Sequence, residues 1–261
     1  MRKEYKNNII LAEPLIPNKQ AVSLFSKVIK NNFPNEGYYT KLFEKRISKL
    51  LKVKYVVSCT SGTIAIFLAL KAIGVKNRDE ILVPNITFPA TLNAISLSGA
   101  KPILVDVDKN NLLMNVKDIK KKINKKTIAI LPVHISGRAS NILKITEIAK
   151  KKKLIVIEDA AEAFMSSVKN KFLGTHGKIG CFSFAPNKII TTGQGGAIVT
   201  NDKSIYEIVS RLKDQGRVGP TTGGEDNYVS VGYNFKFTNL QAALGLSQLD
   251  SINHRIKISA L

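Results

Sequence analysis

Short β-branched runs alternate along the chain with amphipathic stretches whose apolar positions recur at helical spacing. The runs 54–59 (KYVVSC), 80–84 (EILVP), 101–107 (KPILVDV), 128–133 (IAILPV), 154–159 (LIVIED), 179–185 (IGCFSFA) and 196–201 (GAIVTN) predict strands. Between and after them, 63–74, 88–99, 116–123, 141–153 and 204–216 predict helices, the last closed by Gly216. This alternation predicts an α/β fold, a mainly parallel sheet covered by helices on both faces. In such sheets the chemistry gathers at the carboxyl ends of the strands. Further on, 217–230 is turn-rich and reads as an exposed loop, and 239–256 reads as one long helix.

Composition changes this picture little. A length of 261 residues suits one large α/β domain, alone or with a small partner domain, and 44% hydrophobic residues supply a sizeable core. No apolar run reaches the ~18 residues that span a bilayer. The N-terminal stretch lacks the apolar region and small-residue cleavage site of a signal peptide, so a cytoplasmic location is expected. Cys59 and Cys181 lie far apart, outside any Cys/His cluster, and no metal site is expected. The formal net charge is +21, which raises the question of a polyanionic partner. The lysines are spread out, however. The densest runs, 117–126 and 150–153, read as exposed helix faces or ends, and no aromatic residues interleave them. Neither nucleic acid nor a membrane is expected as a partner.

Four places carry candidate chemistry. After the strand 54–59, Ser61-Gly62-Thr63 turns into a helix. Gly62 permits close backbone approach, and the positive helix start would cradle a phosphate. Taken alone, the same turn is equally an ordinary N-cap. The strand 154–157 delivers Glu158 and Asp159 at its carboxyl end, where a carboxylate would hold a pyridinium nitrogen protonated, or would simply be a solvated acid. Lys188, flanked by Ser183 and Asn187 and followed by Gly193, Gly195 and Gly196, would form a Schiff base with an aldehyde, or be a surface lysine. Phe88, after another strand end, would stack on a planar ring, or sit in the core. Together they supply a phosphate cradle, a stacking ring, an acid and an amine at successive strand ends, the set that pyridoxal phosphate requires.

Over nearly its whole length the chain resembles the DegT/DnrJ/EryC1/StrS sugar-nucleotide aminotransferases, within the fold type I pyridoxal-phosphate enzymes. The resemblance rests on SGTIAIFLAL, VPNITFPATLNAI, LPVHISGRA, VIEDAAEAF, GKIGCFSFAPNKIITTGQGGAIVTND, RLKDQGR and VGYNFKFTNLQAALGLSQL. EDAAEA, NKIITTGQGG and GYNFKFTNLQAALGL are most similar to the GDP-perosamine synthase type, with bacillosamine- and legionaminate-type 4-aminotransferases as rivals. The resemblance implies Lys188 as the Schiff-base and proton-shuttling lysine and Asp159 as the partner of the ring nitrogen. It implies Phe88 stacked on the ring, and Gly62, Thr63 and Ser183 on the phosphate. Glu162 would stand on the ring-hydroxyl side, and His134 near the substrate or, equally, as a satisfied structural histidine. Asn234 would reach the phosphate of a neighbouring subunit, which implies a homodimer with shared sites.

The implied reaction moves an amino group from L-glutamate to a keto-sugar nucleotide, for surface polysaccharide synthesis. A non-catalytic remnant that binds cofactor or dimerises is the alternative, and a basic nucleic-acid-binding protein the more distant one. The expected domains are a pyridoxal-phosphate-binding large domain over 1–245, with an N-terminal arm over 1–20, and the start of a largely missing C-terminal small domain over 246–261.

Overall fold

The computed structural model describes residues 14–219 and 227–259. The part of the expected N-terminal arm before residue 14 lies outside the described residues, as does 220–226 of the turn-rich loop. Helices α1 (Asn18–Lys30) and α2 (Tyr38–Leu51) come first. They are followed by β1 (Tyr55–Cys59), α3 (Gly62–Ala72), β2 (Glu80–Pro84), α4 (Pro89–Leu97), β3 (Lys101–Val105), α5 (Val116–Lys122) and β4 (Thr127–Ile130). Next are α6 (Ile142–Lys152), β5 (Ile155–Asp159), a short hairpin of β6 (Ser167–Val168) and β7 (Lys171–Phe172), β8 (Ile179–Ser183), β9 (Gly196–Thr200) and α7 (Lys203–Leu212). The chain continues through β10 (Arg217–Val218), which pairs with β11 (Asn227–Tyr228), to α8 (Asn239–Leu249) and α9 (Ile252–Ser259).

Seven strands form one sheet in the order β1-β9-β8-β5-β4-β2-β3. From β8 to β3 all neighbours are parallel, whereas β9 runs antiparallel between β8 and β1. The segment 184–195 therefore links β8 to β9 at the carboxyl end of the parallel strands, and it carries Lys188. The strands read as continuous apolar runs because both faces are covered: every residue of β2 is buried. One face packs on Phe43, Phe182, Phe184 and Phe237, and the other on α3, which is apolar nearly all round. Each fully buried side chain of this size contributes about 1.5–3 kcal/mol.

Helices α1 and α2 were not foreseen; both pack on α8. One expectation is corrected. The long helix over 239–256 breaks after Leu249. Ser251 Oγ donates to the Gln248 carbonyl at 3.1 Å, a bond in competition with the helical ladder, and Asp250 is held by Gln20 and Arg46. The domain boundary expected at 245 falls inside α8, where Leu246 and Leu249 are buried.

Candidate active site

β1 and β8 are separated only by β9, so the turn after β1 meets the end of β8. Ser61 caps α3: its Oγ accepts from the Ile64 N–H at 3.2 Å. As at any helix start, the N–H groups of Gly62 and Thr63 have no carbonyl within the helix to bond. Ser183 ends β8 immediately beside them. A Cβ at Gly62 would stand 2.8 Å from Ser183 Cβ, and one at Gly196 would stand 2.3 Å from the Ser61 carbonyl oxygen. Small residues are thus required by close approach, and the result is a cradle of N–H and hydroxyl groups at a positive helix end.

Asp159 is the last residue of β5 and is buried. Its Oδ2 accepts from Thr91 Oγ1 at 2.7 Å and its Oδ1 from the Ala161 N–H at 3.1 Å. Thr91 lies on the first turn of α4 and is itself 2.8 Å from Thr87 Oγ1. Burial pushes the Asp159 carboxyl up, against the opposing pull of these donors and of the positive charge of Lys188. Phe88 caps the same helix α4 and is 74% exposed. α4 thus presents a bare aromatic face and a hydroxyl directed at the acid.

Lys188 is mostly withdrawn from solvent, with 15% of its side chain exposed, and its Nζ donates to Glu162 Oε1 at 3.1 Å. Glu162 Oε2 accepts from the Ser136 N–H at 2.8 Å. Burial raises the Glu162 carboxyl, but the Ser136 N–H and Lys188 outweigh it and hold it below the usual range.

Glu158 and Asp159 diverge. Adjacent strand residues face opposite sides of a sheet, so the two carboxylates enter different environments. Glu158 accepts from His134 Nε2 at 2.9 Å, the Gly174 N–H at 2.9 Å and the Gly177 N–H at 2.6 Å. Burial opposes its charge, but His134 and these amides prevail and hold its carboxyl low. The Ser140 N–H donates to His134 Nδ1 at 3.1 Å, which assigns the ring proton to Nε2. His134 is buried with both nitrogens taken, which leaves none for the substrate contact expected of it. The His134 N–H also donates to the Asp159 carbonyl at 3.0 Å, so this buried pair braces the strand end that carries the acid.

Asn234 stands apart. It is exposed and bridges to Asp214, which is held by Lys236 at 2.8 Å and Arg217 at 2.6 Å. Among the described residues no contact joins it to Lys188 or to the cradle.

Three groups were missed by sequence reasoning: Thr91, the His134–Glu158 pair, and Lys213. The last is buried, with Nζ 2.8 Å from Glu36 Oε1 and 3.1 Å from the Ser58 carbonyl. The two-residue period of β5 was the available signal for Glu158. Thr91 and Lys213 carried none.

Residues 17–259 match the DegT/DnrJ/EryC1/StrS aminotransferase family. The GDP-perosamine synthase of Escherichia coli O157:H7 is 44% identical over 216 residues, covering 83% of this chain and 58% of that protein. Among solved structures, Helicobacter pylori PseC, an aminotransferase involved in the biosynthesis of pseudoaminic acid, is 30% identical with a TM-score of 0.87, over 94% of this chain and 66% of that one. Spr1654 of Streptococcus pneumoniae, in its PLP-form, is 25% identical with a TM-score of 0.89, over 95% and 67%.

Proposed function

The chain belongs to the DegT/DnrJ/EryC1/StrS aminotransferase family, and from that premise we propose that it transfers an amino group from L-glutamate to a keto-sugar nucleotide with pyridoxal phosphate as cofactor. The acceptor is a GDP- or UDP-linked 4-keto-6-deoxy sugar, destined for a surface glycan. The chain spans 58% of the length of the GDP-perosamine synthase it matches, so the activity is put forward for the chain with its own residues in view. The observation that carries the reading is the convergence at one sheet end of a withdrawn lysine, a buried aspartate and a cradle too tight for a Cβ at Gly62.

These residues fit the group. The N–H groups of Gly62 and Thr63 and the Ser183 hydroxyl would hold its phosphate, Phe88 would cover the ring and Asp159 would keep the ring nitrogen protonated. Bound there, pyridoxal phosphate supplies a sink for the electron pair left when a Cα–H bond breaks. Lys188 Nζ takes the proton from the donor's Cα and returns one to the acceptor sugar carbon. Glu162 holds Lys188 Nζ in place in the cofactor-free chain. Thr91 orients the Asp159 carboxylate, and the Glu158–His134 pair holds the strand end beneath it.

Asn234 would act in a second copy of the chain, completing that copy's phosphate site in a homodimer with shared sites. A soluble nucleotide substrate goes with a cytoplasmic location; among the described residues no helix is long and apolar enough to cross a membrane.

The test is direct. The purified chain mixed with pyridoxal phosphate develops a visible absorption band that Lys188→Ala loses, and it forms 2-oxoglutarate from glutamate when given a keto-sugar nucleotide. Absence of the band overturns the cofactor assignment. A band without turnover of any such acceptor overturns the transferase assignment and favours a cofactor-binding dimer.

A further inference from the structure

The charged groups that end or follow the strands at the carboxyl end of the sheet are of mixed sign: Asp106, Asp159 and Glu162 on one side of the balance, Arg138 and Lys188 on the other. They leave the formal net charge of +21 unexplained. Topology shows where part of it goes. In parallel strands joined by crossover helices, every helix-to-strand connection falls at the amino end. Four such connections lie side by side here, leading into the neighbouring strands β5, β4, β2 and β3.

Each is basic. The connection into β2 carries Lys76 and Arg78, β3 starts on Lys101, Lys125 and Lys126 precede β4, and Lys150 to Lys153 precede β5. Backbone bonds hold them in register: the Glu80 N–H donates to the Lys126 carbonyl at 2.9 Å, and the Lys101 N–H to the Asp79 carbonyl at 2.8 Å. Neighbouring strands lie about 4.8 Å apart, so the row is dense. The C-terminal turn of α5 adds Lys120 to Lys122 beside it. Of these side chains all but Lys122 are exposed, and among the described residues only Lys151 and Lys122 have an ion-pair partner. The two acids in the row are already engaged: Asp79 accepts from the Lys76 N–H at 2.7 Å, and Glu80 is buried against Asn124 at 2.7 Å.

We propose that this amino-end rim is a docking surface for an anionic lipid headgroup layer. The composition favours that partner. Lysines are point charges without the planar fork that reads carboxylates or bases, and Arg78 is the single arginine of the row. No aromatic side chain interleaves them to stack on bases. The charge is spread along a rim made of strand starts and helix ends, with no helix projecting from it to enter a groove. Docking there leaves the opposite, carboxyl end of the sheet facing solvent, where small soluble substrates reach it. The attachment is peripheral and electrostatic.

The experiment is sedimentation of the full chain with vesicles at low salt. It compares pure phosphatidylcholine with one part phosphatidylglycerol to two parts phosphatidylcholine. The expected result is binding to the anionic vesicles alone, lost as salt shortens the Debye length below ~10 Å. The variant with Lys101, Lys125, Lys126, Lys152 and Lys153 all changed to Glu is expected to bind more than about 100-fold more weakly. A control with the same charge change on α1, α2 and β7 (Lys27, Lys30, Lys45, Lys49 and Lys171 to Glu) keeps most of its binding. Circular dichroism verifies that both variants are folded. No binding to anionic vesicles overturns the proposal, as does equal loss in the control, which would make the effect one of net charge. Tighter retention on a DNA duplex than on vesicles at the same ionic strength, through the same lysines, overturns the lipid assignment in favour of nucleic acid.

Discussion

In the candidate site at the carboxyl end of the central sheet, Asp159, Glu158 and Lys188 are withdrawn and matched: Asp159 to Thr91, Glu158 to His134, Lys188 to Glu162. At the amino end the charged groups are many, exposed and mostly unmatched. Both ends are made by the same strands a few residues apart. The difference lies in what each charge touches. A buried charge must be held by donors or opposite charges, and removing its partner is costly. An exposed lysine is solvated, and its contribution to stability is small. One end is therefore built for position, and the other for field.

The comparison can be broken from the carboxyl end first. Lys188→Ala is expected to lower glutamate-dependent amination by about 10⁴-fold, measured as 2-oxoglutarate formed. Activity within tenfold of wild type would remove Lys188 from the chemistry.

Glu158→Ala strands His134 Nε2–H and two backbone amides, and should cost about 3–5 kcal/mol in denaturant unfolding. The Glu158 carboxyl is held low in the folded chain. The stability it contributes is thus present above the ordinary carboxylate range and fades as pH falls through the depressed folded value. The gap between wild type and variant should narrow in acid; a gap that stays constant would show that packing, and not charge, is lost.

Thr91→Val removes the side-chain donor to Asp159 and should cost about 1–3 kcal/mol at neutral pH, with Thr91→Ser close to wild type. Burial raises the Asp159 carboxyl, so this group favours the folded chain less as pH rises from the ordinary carboxylate range through the raised value. Thermal unfolding of the cofactor-free chain should therefore show a larger penalty for Thr91→Val above that range than below it. Gly62→Ala pushes a methyl against Ser183 and should weaken cofactor binding about tenfold, read as a rise in the cofactor's Kd. At the amino end, Lys101→Gln should change stability by less than about 0.5 kcal/mol.

The parallel strands were legible because covered strands are apolar on both faces, and β2 is buried throughout. The break between α8 and α9 was not, because it depends on Asp250 meeting Gln20 and Arg46, far away in sequence. In the site, Lys188, Asp159 and the Gly62 turn were legible because each sits just at or beyond the end of a clear strand. The pairing of His134 with Glu158 was not legible, because the two are neighbours only in space. Lys213 was one lysine among many until Glu36 and the Ser58 carbonyl closed around it.

The packing of α1 and α2 on α8 has a consequence for synthesis. Gln20 and Asp250 are 230 positions apart, and Asn239 bonds Thr40 and the Phe33 carbonyl across a similar span. Helices α1 and α2 wait for α8 to be made before their apolar faces are covered. At ordinary elongation rates of 5–20 residues per second, that wait is about 10–40 s. For that interval the nascent chain exposes Phe43 and Ile47, core residues of the finished molecule. Any holdase that helps this protein would be expected to act on those faces.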